Sequence, residues 1–255
     1  MAERLYCALN GVPFSSLDES IRLLDVQEIS PMLRSVTADR HADGTYLLAR
    51  HRASLQIRLR FLIAEYSIAK RSELLHRVLA WAEQGGTLTI EKQGTRVLSV
   101  VCTSFPSLSA LNWLETLSLT LTAFDCPYWE DAEATVLTMT DTLAVIAPGT
   151  APETPLDVLI TNMGSAALTC VTIAAVQRIT LNGLSIPSGG QLRIHHDFGY
   201  FSIESRISGV SASVLSCRTS DSADDLTLLP GQPVTVSISA DTAVQAELRF
   251  KGRYC

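Results

Sequence analysis

The sequence predicts a mainly β protein, in which an N-terminal β-sandwich or split-barrel domain carries one α-helix and a C-terminal antiparallel β-sandwich follows. Three observations predict this fold: a long stretch of strict apolar–polar alternation, a single amphipathic segment with helical spacing, and short strand-like segments that recur from Leu156 onward. Alternation with a period of two is typical of a strand with one buried face, whereas helices repeat their apolar residues every three or four positions.

The longest alternating stretch runs from Leu111 to Ala123, and its odd positions are mostly apolar. The even positions of its second half carry small hydroxyl residues: Thr116, Ser118, Thr120 and Thr122. Such a strand would span roughly 43 Å at about 3.3 Å per residue, well beyond the usual length of about 5–6 residues. Pro127 ends it, because proline cannot continue a hydrogen-bonded ladder. We therefore expect a strand that is either bent or extends beyond its own domain.

A second alternating segment lies between Tyr46 and Leu62. Four apolar residues from Leu55 to Phe61 share one face, whereas Arg58 and Arg60 lie on the other. Two arginines on one strand face are typical of a surface that is turned either to solvent or to a partner.

One segment, about Ile68 to Gln84, predicts a helix. Its apolar residues recur with the spacing of an amphipathic stripe, and charged residues occupy the positions between them. Gly85 and Gly86 follow, and glycine readily adopts the left-handed backbone that commonly ends a helix.

Changes in composition mark the domain boundaries. Residues 1–133 form the predicted N-terminal domain, and residues 156–255 form the C-terminal sandwich of about eight short strands separated by turn formers. Residues 134–155 are predicted to be a linker, because their alternation is weak and they contain Pro148, Gly149, Pro152 and Pro155.

Composition excludes several classes of function. The net charge of −6 argues against nucleic acid as the main partner, because that affinity depends on neutralising phosphates. The six cysteines lack zinc-ligand spacing, so we expect reduced, structural thiols and no metal or cofactor. The sequence shows neither a signal peptide nor an apolar run long enough to span a membrane, so we expect a soluble protein made in a cytoplasm.

The sequence predicts no enzyme. It contains no nucleophile elbow, no HExxH and no glycine-rich phosphate loop. The cluster His195-His196-Asp197 is the strongest candidate site. Adjacent strand residues point to opposite faces, so we do not expect the two histidines to share a metal ion.

An alternative function is a carbohydrate-binding module that acts in host adhesion. Saccharide rings stack on exposed aromatic side chains, and Phe198 and Tyr200 would be the glycan contacts here. Tyr200 as a residue of the core or rim remains the competing interpretation.

Several segments occur in a characteristic order. An Asp43-Gly44 loop precedes the strand that carries Arg58 and Arg60, and the helix containing LLHRVLAW ends in Gly-Gly before a hairpin. The long strand ends in AFDCPYWED, and the second domain contains Asn162-Met163-Gly164, Leu229-Pro230-Gly231 and a closing LRFKGRY. In this order, spacing and total length the chain resembles the distal tail protein of long-tailed bacteriophages, the siphophage tail component family. The resemblance covers nearly the whole chain and is weakest at residues 131–155.

The resemblance implies a structural virion protein with a galectin-like C-terminal sandwich. Its N-terminal domain would form a homo-hexameric ring at the tail tip, joining the tail tube protein to the tail-tip and tape-measure-associated hub proteins. On this basis we expect the subunit interface to include Arg58, Arg60, Thr116, Ser118, Thr120 and Thr122. Two positions depart from the family pattern, because Gln232-Pro233 stands where Asn often follows Pro-Gly and Cys170 stands where proline is common.

Overall fold

The computed structural model describes residues 5–29, 33–39, 45–106, 116–197 and 200–255. The chain divides into two compact units, Met1–Trp129 and Glu130–Cys255. Strands dominate the described part of both units, and its one α-helix lies in the first. The predicted mainly β fold with a single helix is therefore confirmed.

The first unit is built on one antiparallel sheet. Its elements are β1 (Cys7–Leu9), β2 (Val12–Pro13), β3 (Ile21–Ile29), β4 (Leu33–Asp39), β5 (Thr45–Arg52), β6 (Leu55–Ile63), α1 (Ile68–Glu83), β7 (Gly86–Ile90), β8 (Arg96–Ser104) and β9 (Leu117–Ala123), with 3-10 turns at Phe14–Ser16 and Glu91–Gln93. The strands follow the order β2-β1-β7-β8-β9-β6-β3, while β4 and β5 form a separate two-stranded sheet. The short strand β10 (Trp129–Asp131) follows at the boundary between the units.

The core of this unit lies between the sheet and α1. In β6 every second side chain from Leu55 to Ile63 is buried, as the alternation predicts. Phe14 makes edge-to-face contacts with Phe61 and Trp81, at ring-centroid distances of 5.6 and 5.2 Å. The indole of Trp81 also donates a hydrogen bond to the Val12 carbonyl oxygen at 3.0 Å. These contacts hold the helix against the sheet.

The helix follows its prediction closely. Ser67 caps its first turn, with the hydroxyl oxygen accepting from the Lys70 amide. Gly85 and Gly86 both have positive φ at its end, and the Asn10 carboxamide donates to the Gly85 carbonyl at 2.7 Å. A Cβ atom at residue 86 would collide with that carboxamide, so glycine is required there by both φ and space.

The strand predicted from Leu111 to Ala123 is observed only in part. Its described portion is β9, seven residues that pair with β6 on one side and β8 on the other. Residues 107–115 lie outside the described residues, so the unusual length of the strand stays a prediction.

The second unit is a sandwich of two antiparallel sheets. Its strands are β11 (Thr135–Met139), β12 (Thr142–Ile146), β13 (Thr154–Pro155), β14 (Asp157–Asn162), β15 (Leu168–Ala174), β16 (Arg178–Ile186), β17 (Gln191–Asp197), β18 (Tyr200–Ile207), β19 (Val210–Ser213), β20 (Thr227–Leu228), β21 (Pro233–Ala240), β22 (Val244–Phe250) and β23 (Arg253–Tyr254), with a 3-10 turn at Leu215–Cys217. One sheet of the sandwich has the order β11-β22-β14-β17-β18-β19 and the other the order β12-β21-β15-β16, while β13 and β20 form a separate two-stranded sheet and β23 pairs with β10. Buried apolar side chains from both sheets form a single core between them.

The segment predicted as a linker, residues 134–155, is instead part of this sandwich. It contains β11 and β12, which pair with β22 and β21 at one edge of each sheet. Each strand buries a single side chain, Met139 in β11 and Val145 in β12. Because the other side chains of these edge strands stay partly or fully exposed, their sequence carries only a weak alternation.

No helix in the described ranges is both long and apolar enough to cross a membrane.

We predict that Asn162→Ala destabilises the second unit by about 2–3 kcal/mol, because it leaves buried backbone groups without partners. Asn162 is only 1 % exposed, donates to the carbonyls of Ala166 and Ile186 at 2.8 and 2.9 Å, and accepts from the Gly164 amide at 3.0 Å. Urea unfolding measures the change. The control Asn182→Ala removes an exposed carboxamide and should stay within about 0.5 kcal/mol of wild type; equal effects would contradict the prediction.

We also predict that Arg71→Met raises the free energy of unfolding by about 1–2 kcal/mol, because an uncompensated buried charge is replaced by an apolar side chain. Arg71 is 5 % exposed on the buried face of α1, and its Nε and Nη1 have no hydrogen-bond partner among the described residues. Arg77→Met is the control, since Arg77 is half exposed and pairs with Asp18 and Glu73. It should be neutral or slightly destabilising. A loss of stability in Arg71→Met would show that the guanidinium has a partner.

Candidate functional site

The first unit presents a polar sheet face, here called the arginine face and defined by Arg58, Arg60, Gln27, Ser118 and Thr120. Within β6, Arg58 and Arg60 alternate with the buried residues and are exposed. Arg58 is paired with Gln27 of β3 and Thr120 of β9, and Arg60 is paired on its β9 side with Ser118. Directly opposed residues of an antiparallel pair have Cβ atoms about 4.5–5.5 Å apart on one face. The predicted arginines and two of the predicted hydroxyl residues therefore form one continuous surface.

The arginine face is cationic. Among the described residues neither Arg58 nor Arg60 forms an ion pair within 4.0 Å. On the other side of β6, Arg60 is paired with Asp25 of β3, which carries a carboxylate. Both guanidinium groups thus keep donors that a partner surface can use.

The four predicted hydroxyl residues differ in exposure. Thr116 and Ser118 are exposed, and Thr120 is half-buried. Thr122 is only 1 % exposed, and its hydroxyl lies 2.7 Å from that of Thr103 on the adjacent strand β8. Thr122 is therefore satisfied within the unit and is not part of the exposed surface, unlike the other three.

In the second unit, a carboxylate and a histidine meet on the outer face of the six-stranded sheet. Both oxygens of Asp157 on β14 lie 2.8 Å from Nδ1 of His195 on β17. Asp157 also accepts from the His196 amide at 2.9 Å, and Arg193 approaches to 3.6 Å. An ionised carboxylate only accepts hydrogen bonds, so Nδ1 of His195 is the donor in this contact.

His196 has different neighbours. Its Nδ1 lies 2.9 Å from the Leu226 carbonyl oxygen, and its ring is edge-on to Phe201 at 6.2 Å. This separation follows from strand alternation, which turns adjacent side chains to opposite faces. In the described part of the chain, no group of three histidine, cysteine or carboxylate side chains is placed to hold a metal ion.

Two adjoining cavities lie over this sheet face and share Asp157, Arg193 and Arg249. One has a volume of about 300 Å³ and is also lined by His195 and Lys251. The other has a volume of about 310 Å³, and its polar lining includes Gln191, Glu204, Arg206, Ser211 and Glu247. The two cavities together are here called the charged groove.

Of the two predicted glycan contacts, Tyr200 lies beside His195, a residue that lines this groove. Tyr200 is 55 % exposed, which excludes its interpretation as a core residue, and its ring centroid is 5.7 Å from that of His195. Phe198 lies outside the described residues.

Sequence reasoning singled out His195 but not Asp157, Arg193 or Arg249, which come from three different strands of one sheet. They lie far apart along the chain, and only the pairing register brings them together. No spacing along the chain signals this arrangement.

Two thiols, those of the buried Cys7 and the partly buried Cys102, are unsuited to nucleophilic catalysis. Burial raises the pKa of Cys7 to about 12, and burial also raises the pKa of Cys102 above its ordinary value. A catalytic cysteine requires the opposite shift, because the thiolate is the nucleophile.

Comparison with known proteins identifies the fold. No protein-family model and no curated protein sequence matches the chain. The chain is similar in structure to the SPP1 Dit (gp 19.1) protein, whose crystal structure is described as a paradigm of the hub adsorption apparatus in phages that infect Gram-positive bacteria. The TM-score is 0.68 at 10 % identity, and the match covers 98 % of this chain and 99 % of that one. A chain of the phage P2 baseplate in its activated conformation with calcium gives a TM-score of 0.48 at 9 % identity over 97 % of both chains. The chain therefore has the fold of a phage distal tail protein, as its resemblance at the sequence level predicts.

Proposed function

We propose that the chain is a distal tail protein, a structural component of the tail tip of a phage or prophage-derived particle. It forms a homo-hexameric ring that connects the tail tube to the tail-tip host-adsorption apparatus. The observation that carries this proposal is the agreement in fold with the SPP1 Dit protein over 98 % of this chain and 99 % of that chain. Agreement across both units supports an equivalent architectural role more strongly than a match to one sandwich alone.

The arginine face is the proposed contact between neighbouring subunits. A ring requires a heterologous interface whose rotation closes, so each subunit must present one surface that its neighbour's different surface complements. Arg58 and Arg60 supply exposed multidentate donors on the rigid strand β6, and Thr116, Ser118 and Thr120 extend the same polar region. Arginine is enriched in protein interfaces for this reason.

The proposed partners are the tail tube protein on one side of the ring and the tail-tip and tape-measure-associated hub proteins on the other. The protein is synthesised in the cytoplasm of the bacterial host and resides in the virion. Its role is non-enzymatic.

We predict that the double variant Arg58→Glu/Arg60→Glu shifts the protein from hexamer to monomer without unfolding it, because both side chains are exposed and charge reversal opposes a complementary surface. Light scattering measures the mass, and electron microscopy shows whether rings with six-fold symmetry form. Lys92→Glu, an exposed charge reversal between β7 and β8, is the control and should still assemble.

The proposal fails if the wild-type protein stays monomeric at all concentrations and never copurifies with tails. Rings that form equally well from the double variant would remove the arginine face from the interface while leaving the hub role intact.

A second candidate function is carbohydrate binding in host adhesion, favoured by the exposed ring of Tyr200 beside the charged groove. We predict that Tyr200→Ala weakens binding of host cell-wall polysaccharide by about tenfold, since ring stacking is lost. Titration calorimetry measures the affinity, with Phe198→Ala as a second variant and Tyr66→Ala, an 80 % exposed tyrosine of the first unit, as the control. Binding that is unaffected by Tyr200→Ala and by Phe198→Ala would refute these contacts.

A further inference from the structure

We propose that the charged groove of the second unit binds an anionic saccharide, whose phosphate or carboxylate group is held by Arg249 and Lys251. This inference deepens the second candidate function, on which it rests, and is independent of ring formation. It assigns a class of ligand to the groove and a role to residues outside the sequence-predicted contacts.

The first observation is the balance of charge in the cavity lined by His195 and Lys251. Four cationic side chains and two carboxylates line its volume of about 300 Å³: Arg193, Arg249, Lys251, Arg253, Asp157 and Glu130. Glu130 is engaged by Arg253 at 2.7 Å, and Asp157 is engaged by His195 and the His196 amide. Both carboxylates therefore have their own partners within the unit.

Arg249 and Lys251, unlike these carboxylates, have no charged partner in the described part of the unit. Among the described residues, neither forms an ion pair within 4.0 Å, although Arg249 is aligned with Asp157 across β22 and β14. The cavity thus has an excess of positive charge in a chain whose net charge is −6. A guanidinium beside an ammonium group is a favourable arrangement for a phosphate or carboxylate, which both can contact with charge-assisted hydrogen bonds.

The adjoining cavity indicates that the rest of the ligand is polyhydroxylated. Along the row Glu247, Leu159, Arg193 and Glu204, which the pairing register places side by side, acceptors and donors alternate around one apolar residue. Gln191 and Arg206 form the next row. Closely spaced donors and acceptors suit sugar hydroxyl groups, each of which both donates and accepts. Because the two cavities adjoin, the ligand extends over more than one sugar unit.

The position of the groove disfavours an extended acidic peptide. It lies over β14 and β17, and each of these strands is already paired on both sides. Their backbone amide and carbonyl groups are therefore used within the sheet and cannot form a ladder with an added strand. Recognition must come from side chains alone, supplemented by the exposed ring of Tyr200 beside His195. Polar side chains and one exposed aromatic ring are sufficient to bind a saccharide.

The test uses the full chain and three oligosaccharides of equal length: one phosphorylated, one containing a uronic acid and one neutral. Titration calorimetry at low and at physiological salt should show that at least one anionic probe binds and that salt weakens it. Arg249→Ala and Lys251→Ala should each weaken that probe by about 10- to 100-fold, as expected for a lost hydrogen bond to a charged group. The phosphorylated and uronic acid probes distinguish the two sources of negative charge.

Arg178→Ala is the matched control, because Arg178 is exposed on β16 of the other sheet and does not line the groove. The proposal is overturned if this control loses as much affinity as Arg249→Ala, since the attraction would then be diffuse. It is also overturned if the neutral probe binds as tightly as the anionic ones, if no anionic probe binds, or if a polyglutamate peptide binds equally well with the same dependence on Arg249.

Measuring the mass of the same samples separates this inference from the hub role. Intact hexamers without saccharide binding refute the inference alone, whereas a monomer that binds an anionic saccharide refutes the hub role alone. A neutral saccharide that binds through Tyr200 would support the second candidate function and overturn the anionic assignment.

Discussion

The pairing of β6 between β3 and β9 is the constraint on which the first unit depends. This register buries Leu55, Ile57, Leu59, Phe61 and Ile63 against the core. Full burial of each such side chain contributes about 1.5–3 kcal/mol, whereas a slip of one residue would expose all of them together. The same register places the arginines of β6 on the outer face. The exposed chemistry of this strand is thus a direct consequence of how its core face is packed.

In the second unit, the pairing register of the strands determines which charged side chains are neighbours. The side chain of Asp157 is 19 % exposed, so its carboxylate is partly withdrawn from water. A partly buried carboxylate requires donors, and the adjacent strand supplies them through the ring of His195 and the amide of His196. Arg249 and Lys251 form no ion pair within 4.0 Å among the described residues, and their charge contributes to the positive character of the groove.

The agreement in fold with SPP1 Dit at 10 % identity has a physical explanation. A β-sandwich requires the right sequence of apolar and polar positions and turn residues, and many different side chains satisfy that pattern. Surface residues are under no such requirement, so two chains can share every sheet and differ in what those sheets bind. For this reason the groove has to be understood from the residues of this chain and not from its fold.

The sequence by itself determined the mainly β class, the helix at Ile68–Glu83 and the exposure of Arg58 and Arg60, because each follows from local periodicity over a single element. Periodicity was uninformative for residues 134–155, which form edge strands that bury one side chain each. Only the tertiary structure decided that Thr122 is bonded to Thr103 of β8, that Arg71 lies on the buried face of the helix, and that Asp157, His195 and Arg249 lie side by side. These facts depend on which strands are neighbours, and strand neighbours are set by long-range pairing that leaves no repeating signal along the chain.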